Sequence, residues 1–294
     1  MSLPNELLYQ ILESLFLDAQ TSVPARQALC HCLSVSNNVR LMARRFVFKN
    51  VTIELHVEQI VQPDRTHALW EVLSSDPTVL EHITSLSIEM IVGLGVLKSV
   101  DAPIFCTVLR LLQNASFQSF TIRCNDGAQY RIKDLHPTII DSLVSIRGNT
   151  SLRELRFIRA LDAPQKLIFG IKKEDTVQKL CLPNLYPDRA LDATFDPISR
   201  AFPPLPSLID LEVLHICHFL AAAFGPTTTE AIRNCNIRLK RLRLLYFIKE
   251  GGFTSQKQWE MIKLTGQSSL EILSVVTSWR EITSGMSSLV RCLD

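Results

Sequence analysis

The chain lacks the signatures of the common enzyme classes. It contains no G-x-x-x-x-G-K-[ST] phosphate loop and no G-x-G-x-x-G fingerprint, and Gly93-Leu94-Gly95 stands alone. The usual backbone cradles for nucleotide phosphates are therefore missing. No G-x-S-x-G nucleophile elbow occurs and no Ser/His/Asp cluster stands out, which argues against acyl transfer. His215 and His218 are only three residues apart, and that pair alone makes no metal site. Catalytic residues, a metal and a cofactor are not expected.

An excess of one charge is also missing. With 31 Lys+Arg against 29 Asp+Glu, the net charge is +2, too small to suggest nucleic acid as a partner. Long apolar runs are absent too. The longest, near residues 214–224, contains His215 and His218 and is too short to span a bilayer. Leu3-Pro4-Asn5-Glu6 puts an acid where a secretory leader needs a basic region, so no leader is expected. Arg291-Cys292-Leu293-Asp294 has its cysteine one place too late for a prenylation box. The expectation is a cytoplasmic and/or nuclear chain without a membrane partner.

Eight cysteines are present, but no two form a C-x-x-C pair. Cys30-His31-Cys32 and Cys217-His218 are tight pairs without a spaced second half for tetrahedral zinc. Most cysteines lie in apolar periodic segments, where buried reduced thiols are expected.

What is present is apolar and periodic. Hydrophobic residues make 47% of the chain and charged residues 20%, a globular balance rather than a disordered one. At 294 residues the chain is long enough for about two domains. Pro4 suits a first helical turn, where its missing N–H would be unpaired anyway, and Glu6 favours the positive helix end. Leu7, Leu8, Ile11, Leu12 and Leu15 then form a wide apolar stripe. Gln20 to Pro24 reads as a loop, because Pro24 disfavours helix at Val23. A second helix is predicted from Ala25 to about Val35, followed by a turn at Asn37-Asn38. The apolar pattern continues through Val39, Leu41, Met42, Phe46 and Val47 to a strand at Val51-Thr52-Ile53. About fifty residues bury too little core to stand alone.

The Leu3-Pro4 start, the leucine stripe, the Cys32-x-x-Val35 step and the Ala43-Arg44-Arg45-x-x-Phe48 exit together resemble an F-box. That family's small helical module docks a chain onto a Skp-type adaptor of a cullin ubiquitin ligase. The resemblance implies adaptor contacts through Leu3, Pro4, Leu7, Leu8, Ile11, Leu12, Leu15, Cys32, Val35 and Val39. Two features depart from the family. Ser36, Asn37 and Val39 stand where it often has Cys, a basic residue and Trp, and the first interhelical loop is longer than usual.

From residue 51 onward a short apolar-x-apolar strand recurs. It aligns at Val51/Ile53, Leu86/Ile88, Phe120/Ile122, Leu155/Phe157, Leu180/Leu182, Leu214/Ile216, Leu242/Leu244 and Leu273/Val275. The mean step is about 32 residues, with steps of 34 and 28 on either side of Leu214. The clearest copies, such as Leu152-x-x-Leu155-x-Phe157 and Leu239-x-x-Leu242-x-Leu244, resemble the strand half of a leucine-rich repeat. Helices are predicted between strands over Thr66–Leu73, over Ile104–Leu112, from Pro137 to a stop at Gly148-Asn149, and after Thr254 or Ser255 through Trp259. Six prolines within 183–210 predict loop and a short helix there.

The expected fold is α/β. A helical F-box over 1–50 would precede a curved, degenerate leucine-rich-repeat-like solenoid with a parallel sheet over 51–294. One strand plus one helix cannot cover its own apolar face, so repeats must stack. The residue between two apolar anchors then points outward: Thr52, Ser87, Thr121, Arg156, Cys181, His215, Arg243 and Ser274. Arg156, His215 and Arg243 would make a basic stripe for an acidic or phosphorylated target, since arginine forks match carboxylate and phosphate oxygens. The resemblance implies a substrate-recognition subunit that binds a Skp-type adaptor and, through it, a cullin. The alternative is a leucine-rich interaction scaffold without ligase engagement.

Overall fold

The structure is a computed structural model that describes residues 4–57, 64–92, 102–125, 130–170, 176–182, 207–213, 239–244 and 270–275. In chain order the N-terminal part contains α1 (Asn5–Ala19), α2 (Val23–His31), α3 (Asn37–Val47), β1 (Asn50–His56), α4 (Asp64–Ser75), β2 (Ser85–Ile91), α5 (Pro103–Leu112) and β3 (Ser119–Cys124). There follow β4 (Tyr130–Arg131), α6 (Pro137–Arg147), β5 (Glu154–Ile158), β6 (Ala160–Leu161), α7 (Gln165–Phe169), β7 (Lys179–Leu182), β8 (Asp210–Val213), β9 (Arg241–Leu244) and β10 (Ile272–Val275). The fold is mixed α/β with parallel strands. The chain divides into two compact units, residues 1–121 with 135–152 and residues 122–134 with 153–294. Among the described residues, no helix is long and apolar enough to cross a membrane.

In the first unit, α1, α2 and α3 close around Leu12, Ala19, Leu29, Ala43 and Phe46. Tyr9 and Phe16 flank Phe46 at ring distances of 5.2 and 5.7 Å. Helix α2 begins at Val23, two residues before the predicted Ala25. Pro24 is tolerated because first-turn N–H groups have no helical acceptor, and Ser22 Oγ accepts from Ala25 N at 3.4 Å as the cap. The predicted continuation to Val35 ends instead at His31, with a 3-10 turn over Cys32–Ser34. Asn37-Asn38, read as a turn, opens α3, because Ser36 Oγ accepts from Val39 N at 3.3 Å and caps the helix.

The same unit ties these helices to the strands. Arg44 at the end of α3 meets Asp76 at 2.6 Å. The Lys49 carbonyl accepts the N–H groups of Thr84 and Ser85 at 3.0 Å each. Strand β1 pairs with β2 in parallel, Val51 beside Leu86 and Ile53 beside Ile88. All four anchors are buried. Asn149, which stops α6, donates from Nδ2 to the carbonyls of Gln113 (3.3 Å) and Ala115 (2.6 Å) and accepts Ser151 N–H at 2.9 Å.

The doubly accepting carbonyl recurs at the mouth of successive strands. Thr84 accepts from Gln118 and Ser119 in the first unit. In the second unit Arg153 accepts from Gln178 and Lys179, Gln178 from Ile209 and Asp210, Ile209 from Lys240 and Arg241, and Lys240 from Glu271 and Ile272. Each unpaired strand-entry carbonyl is thereby satisfied by the next strand.

In the second unit, β5, β7, β8, β9 and β10 pair in that order, all parallel. Leu180, Leu211, Leu242 and Leu273 stand side by side, at positions 180, 211, 242 and 273, a constant step of 31. This corrects the predicted sixth strand. The anchors of the strand that pairs with β7 and β9 are Leu211 and Val213. The segment Leu208-x-x-Leu211-x-x-Leu214 fits the repeat pattern in two frames. The paired frame buries Leu208, Leu211 and Val213 together. The helix predicted after Thr254 or Ser255, the anchors Leu214 and Ile216, and residues 183–206 of the proline-rich stretch lie outside the described residues.

A small parallel pair, β4 with β6, was not predicted. Arg159 and Asp162 around it hold φ of 55° and 45°, left-handed values that cost a non-glycine residue energy. Tyr130 N donates to the Arg159 carbonyl at 3.4 Å and Lys133 N to the Asp162 carbonyl at 3.2 Å. The Asp162 carboxylate also takes Arg131 at 2.5 Å and Lys133 at 3.4 Å.

Candidate functional site

Two surfaces carry the residues singled out in the sequence. The first is the outer face of α1 to α3. A helix stripe as wide as that of α1 cannot all turn inward, and the structure divides it. Leu12 is 1% exposed and is the buried centre of the module, so it holds the helices together rather than facing outward. Leu8, Leu15 and Cys32 are partly covered and pack against that centre. Leu7 and Ile11 stay 44% and 48% exposed and Val35 68%. Pro4 is exposed and Val39 half-buried; Leu3 lies outside the described residues. Leu17, Val23 and Leu41, which were not predicted as contact residues, are also exposed. Scattered exposed leucines are ordinary on a protein surface; Leu7 and Ile11, one turn apart on α1, share a face of that helix. Cys30 on α2 is exposed, and burial raises the thiol of Cys32 above its usual value.

The second surface is the outward face of β5, β7, β8 and β9. Alternation places two rows there. One row runs Glu154, Lys179, Asp210, Arg241; the other runs Arg156, Cys181, Glu212, Arg243. The expected basic stripe does not form from the residues on these rungs. The place predicted for His215 is taken by Glu212, and His215 lies outside the described residues.

Ion pairs run along and across the strands. Arg156 Nη2 and Lys179 Nζ both reach Glu154 Oε1, at 2.6 and 2.9 Å. Arg241 reaches Asp210 at 3.0 Å and Arg243 reaches Glu212 at 3.5 Å. Burial pushes the Glu154 carboxyl up, but hydrogen bonds from Lys179 and Arg156 outweigh it and hold the group below its usual value. Burial lowers the Arg156 guanidinium, and Glu154 more than reverses that. Cys181 stands in register between Arg156 and Glu212, its thiol pushed up to about 12 by burial and then by Glu212. It is an unreactive neutral thiol at physiological pH.

Arg156 and Arg243 thus face outward as predicted, each against a carboxylate. Sequence reasoning missed Glu154, Lys179 and Asp210. The signal was available, since each lies one residue before the first anchor of its strand and so shares the outward parity. Glu212 was hidden by the choice of frame. Among the described residues no group of three His, Cys, Asp or Glu side chains could hold a metal ion.

Against known proteins, the chain matches no protein-family model, no curated protein and no solved structure.

Proposed function

We propose that this chain is the substrate-recognition subunit of a Skp–cullin–F-box ubiquitin ligase, with no catalytic step of its own. In this reading the N-terminal helices act as the F-box and bind a Skp-type adaptor, which links the chain to the cullin. The strand-and-helix repeats act as a degenerate leucine-rich solenoid that holds a target protein. The contribution to ubiquitin transfer is proximity, since tethering raises the target's effective concentration at the charged enzyme.

The observation that supports it best is the partition of the α1–α3 module. Its centre is filled by Leu12, Leu29 and Phe46, yet Leu7, Ile11 and Val35 remain on the surface. Apolar side chains kept out of an adequate core are best explained by a second chain. The test is complex formation between the purified full chain and a Skp-type adaptor by size-exclusion chromatography. The wild type should co-elute, and Ile11→Asp with Val35→Asp should not. Neither position lies in the core, so both changes should leave the helical signal and melting temperature intact. A wild-type chain that never co-elutes with the adaptor rejects the reading.

A second reading is a repeat-type interaction scaffold that no longer engages the ligase. Ser36, Asn37 and Val39 favour it. Ser36 is occupied as the α3 cap, and the half-buried Val39 offers far less apolar area than the tryptophan found there in many F-boxes.

A further inference from the structure

On the outward face of the second unit, charge is layered as well as paired. Each carboxylate is more covered than the cation that reaches it. Asp210, Glu212 and Glu154 are 16%, 24% and 24% exposed. Arg241 and Arg243 are 55% and 53% exposed, and Lys179 and Arg156 38% and 39%. The cause is stem length. Short carboxylate stems stay near the strands, while lysine and arginine stems arch over them. An approaching molecule therefore meets cations first.

The layering is clearest on β9. Arg241 and Arg243 share one face of the strand, roughly 7 Å apart along it at two residues' rise. Ile272 stands beside Arg241 in register and is 54% exposed. Two guanidinium groups with an apolar neighbour complement a segment that carries two acidic side chains at the same spacing. In an extended chain those acids are two residues apart, and arginine forks bind carboxylates through paired N–H donors.

We propose that the β8–β10 face is the docking strip for an extended acidic segment of the target protein, which the Arg241 and Arg243 guanidinium groups bind while Ile272 packs beside it. This rests on the target-holding role proposed above and gives it a chemistry. Asp210 and Glu212 are then built-in competitors. They hold the arginines when the strip is empty and share them when it is filled.

The competition makes a test with opposite signs. The probe is a fluorescein-labelled octapeptide of alternating Glu and Val, titrated into the purified full chain and followed by anisotropy. Alternating Lys-Val serves as the charge-inverted control. The Glu-Val peptide should bind, and the Lys-Val peptide should not. Arg241→Glu with Arg243→Glu should weaken Glu-Val binding about tenfold or more, as expected when two attractive surface charges become repulsive. Asp210→Asn with Glu212→Gln should strengthen it, because the arginines lose the two carboxylates that hold them. If the reversed-charge variant misfolds, Arg241→Gln with Arg243→Gln carries the same prediction with a smaller effect.

Raising the salt from 50 to 500 mM should weaken binding in every variant that still binds. Equal binding by all variants, or no gain on neutralising Asp210 and Glu212, overturns the proposal. So does tighter binding of an oligothymidine of the same net charge, which would make the face a general polyanion site. The peptide assay contains no adaptor, and the co-elution assay contains no peptide. Failure of one leaves the other readable.

Discussion

Glu154 shows how one side chain can serve packing and recognition together. Its single Oε1 gathers Arg156 and Lys179 from two neighbouring strands, and the resulting attraction exceeds its burial cost. The sign of the pH effect follows. A carboxyl whose folded value lies below its usual 4.5 contributes stability that is fully present above pH 4.5, and it is lost as pH falls through the lower folded value. Glu154→Gln should therefore lower the urea midpoint at pH 7. The gap from wild type should close as pH is lowered from 5 through the folded value, where the native carboxyl becomes neutral as well. A gap constant over that range would show that the residue acts through packing alone. Arg156 could be read from the sequence as an outward residue, but its partner could not. Glu154 is two positions earlier on the same strand, and parity alone does not say which neighbours will meet.

At the scale of elements, capping and pairing decide what periodicity leaves open. The helices α4, α5 and α6 fall where the apolar spacing predicts them, because proline at the first turn of α5 and α6 and glycine after α6 mark the ends. Helix α2 departs from its prediction because Pro24 stops a helix only when it falls beyond the first turn, and Ser22 supplies a cap just ahead of it. The pair β4–β6 was illegible, since two residues carry no period.

Asn149 is the clearest element-level tie. It fastens the end of α6 to the segment after α5 through two carbonyls and one N–H. Asn149→Ala should cost about 1.5–4.5 kcal/mol, as expected for three hydrogen bonds at about 0.5–1.5 kcal/mol each. Asn149→Asp should also destabilise, because the carbonyls of Gln113 and Ala115 then face an oxygen. Chemical denaturation of the three proteins checks this, and an Ala variant as stable as wild type would show the tie to be idle.

For the whole molecule, the proposed roles fall on separate residues, so they should be separable by mutation. A chain with Ile11→Asp and Val35→Asp should still bind the acidic peptide with wild-type affinity while releasing the adaptor. A chain with Arg241→Glu and Arg243→Glu should do the reverse. In cells, either variant alone should let the same target accumulate. Measured together by co-elution, anisotropy and quantitative proteomics, these outcomes fit a bridge between adaptor and target. If each variant failed to bind either partner while remaining folded, the bridge model would fail.

The sequence by itself determined where α1, α4, α5, α6 and most of the repeat strands lie and which face of each is apolar. Those properties depend on residues two to four positions apart, as at Leu155/Phe157 or along α1. It also determined that the strands recur at a near-constant step. The tertiary structure decided what needs a second element to define it. Leu12 goes inside while Ile11 stays outside because α2 and α3 close over one side of a stripe wider than the core could take. Leu211 becomes an anchor because the pairing sets it beside Leu180 and Leu242. That single choice of frame sets Glu212 on the outward row and turns an expected run of cations into paired charges with arginines outermost.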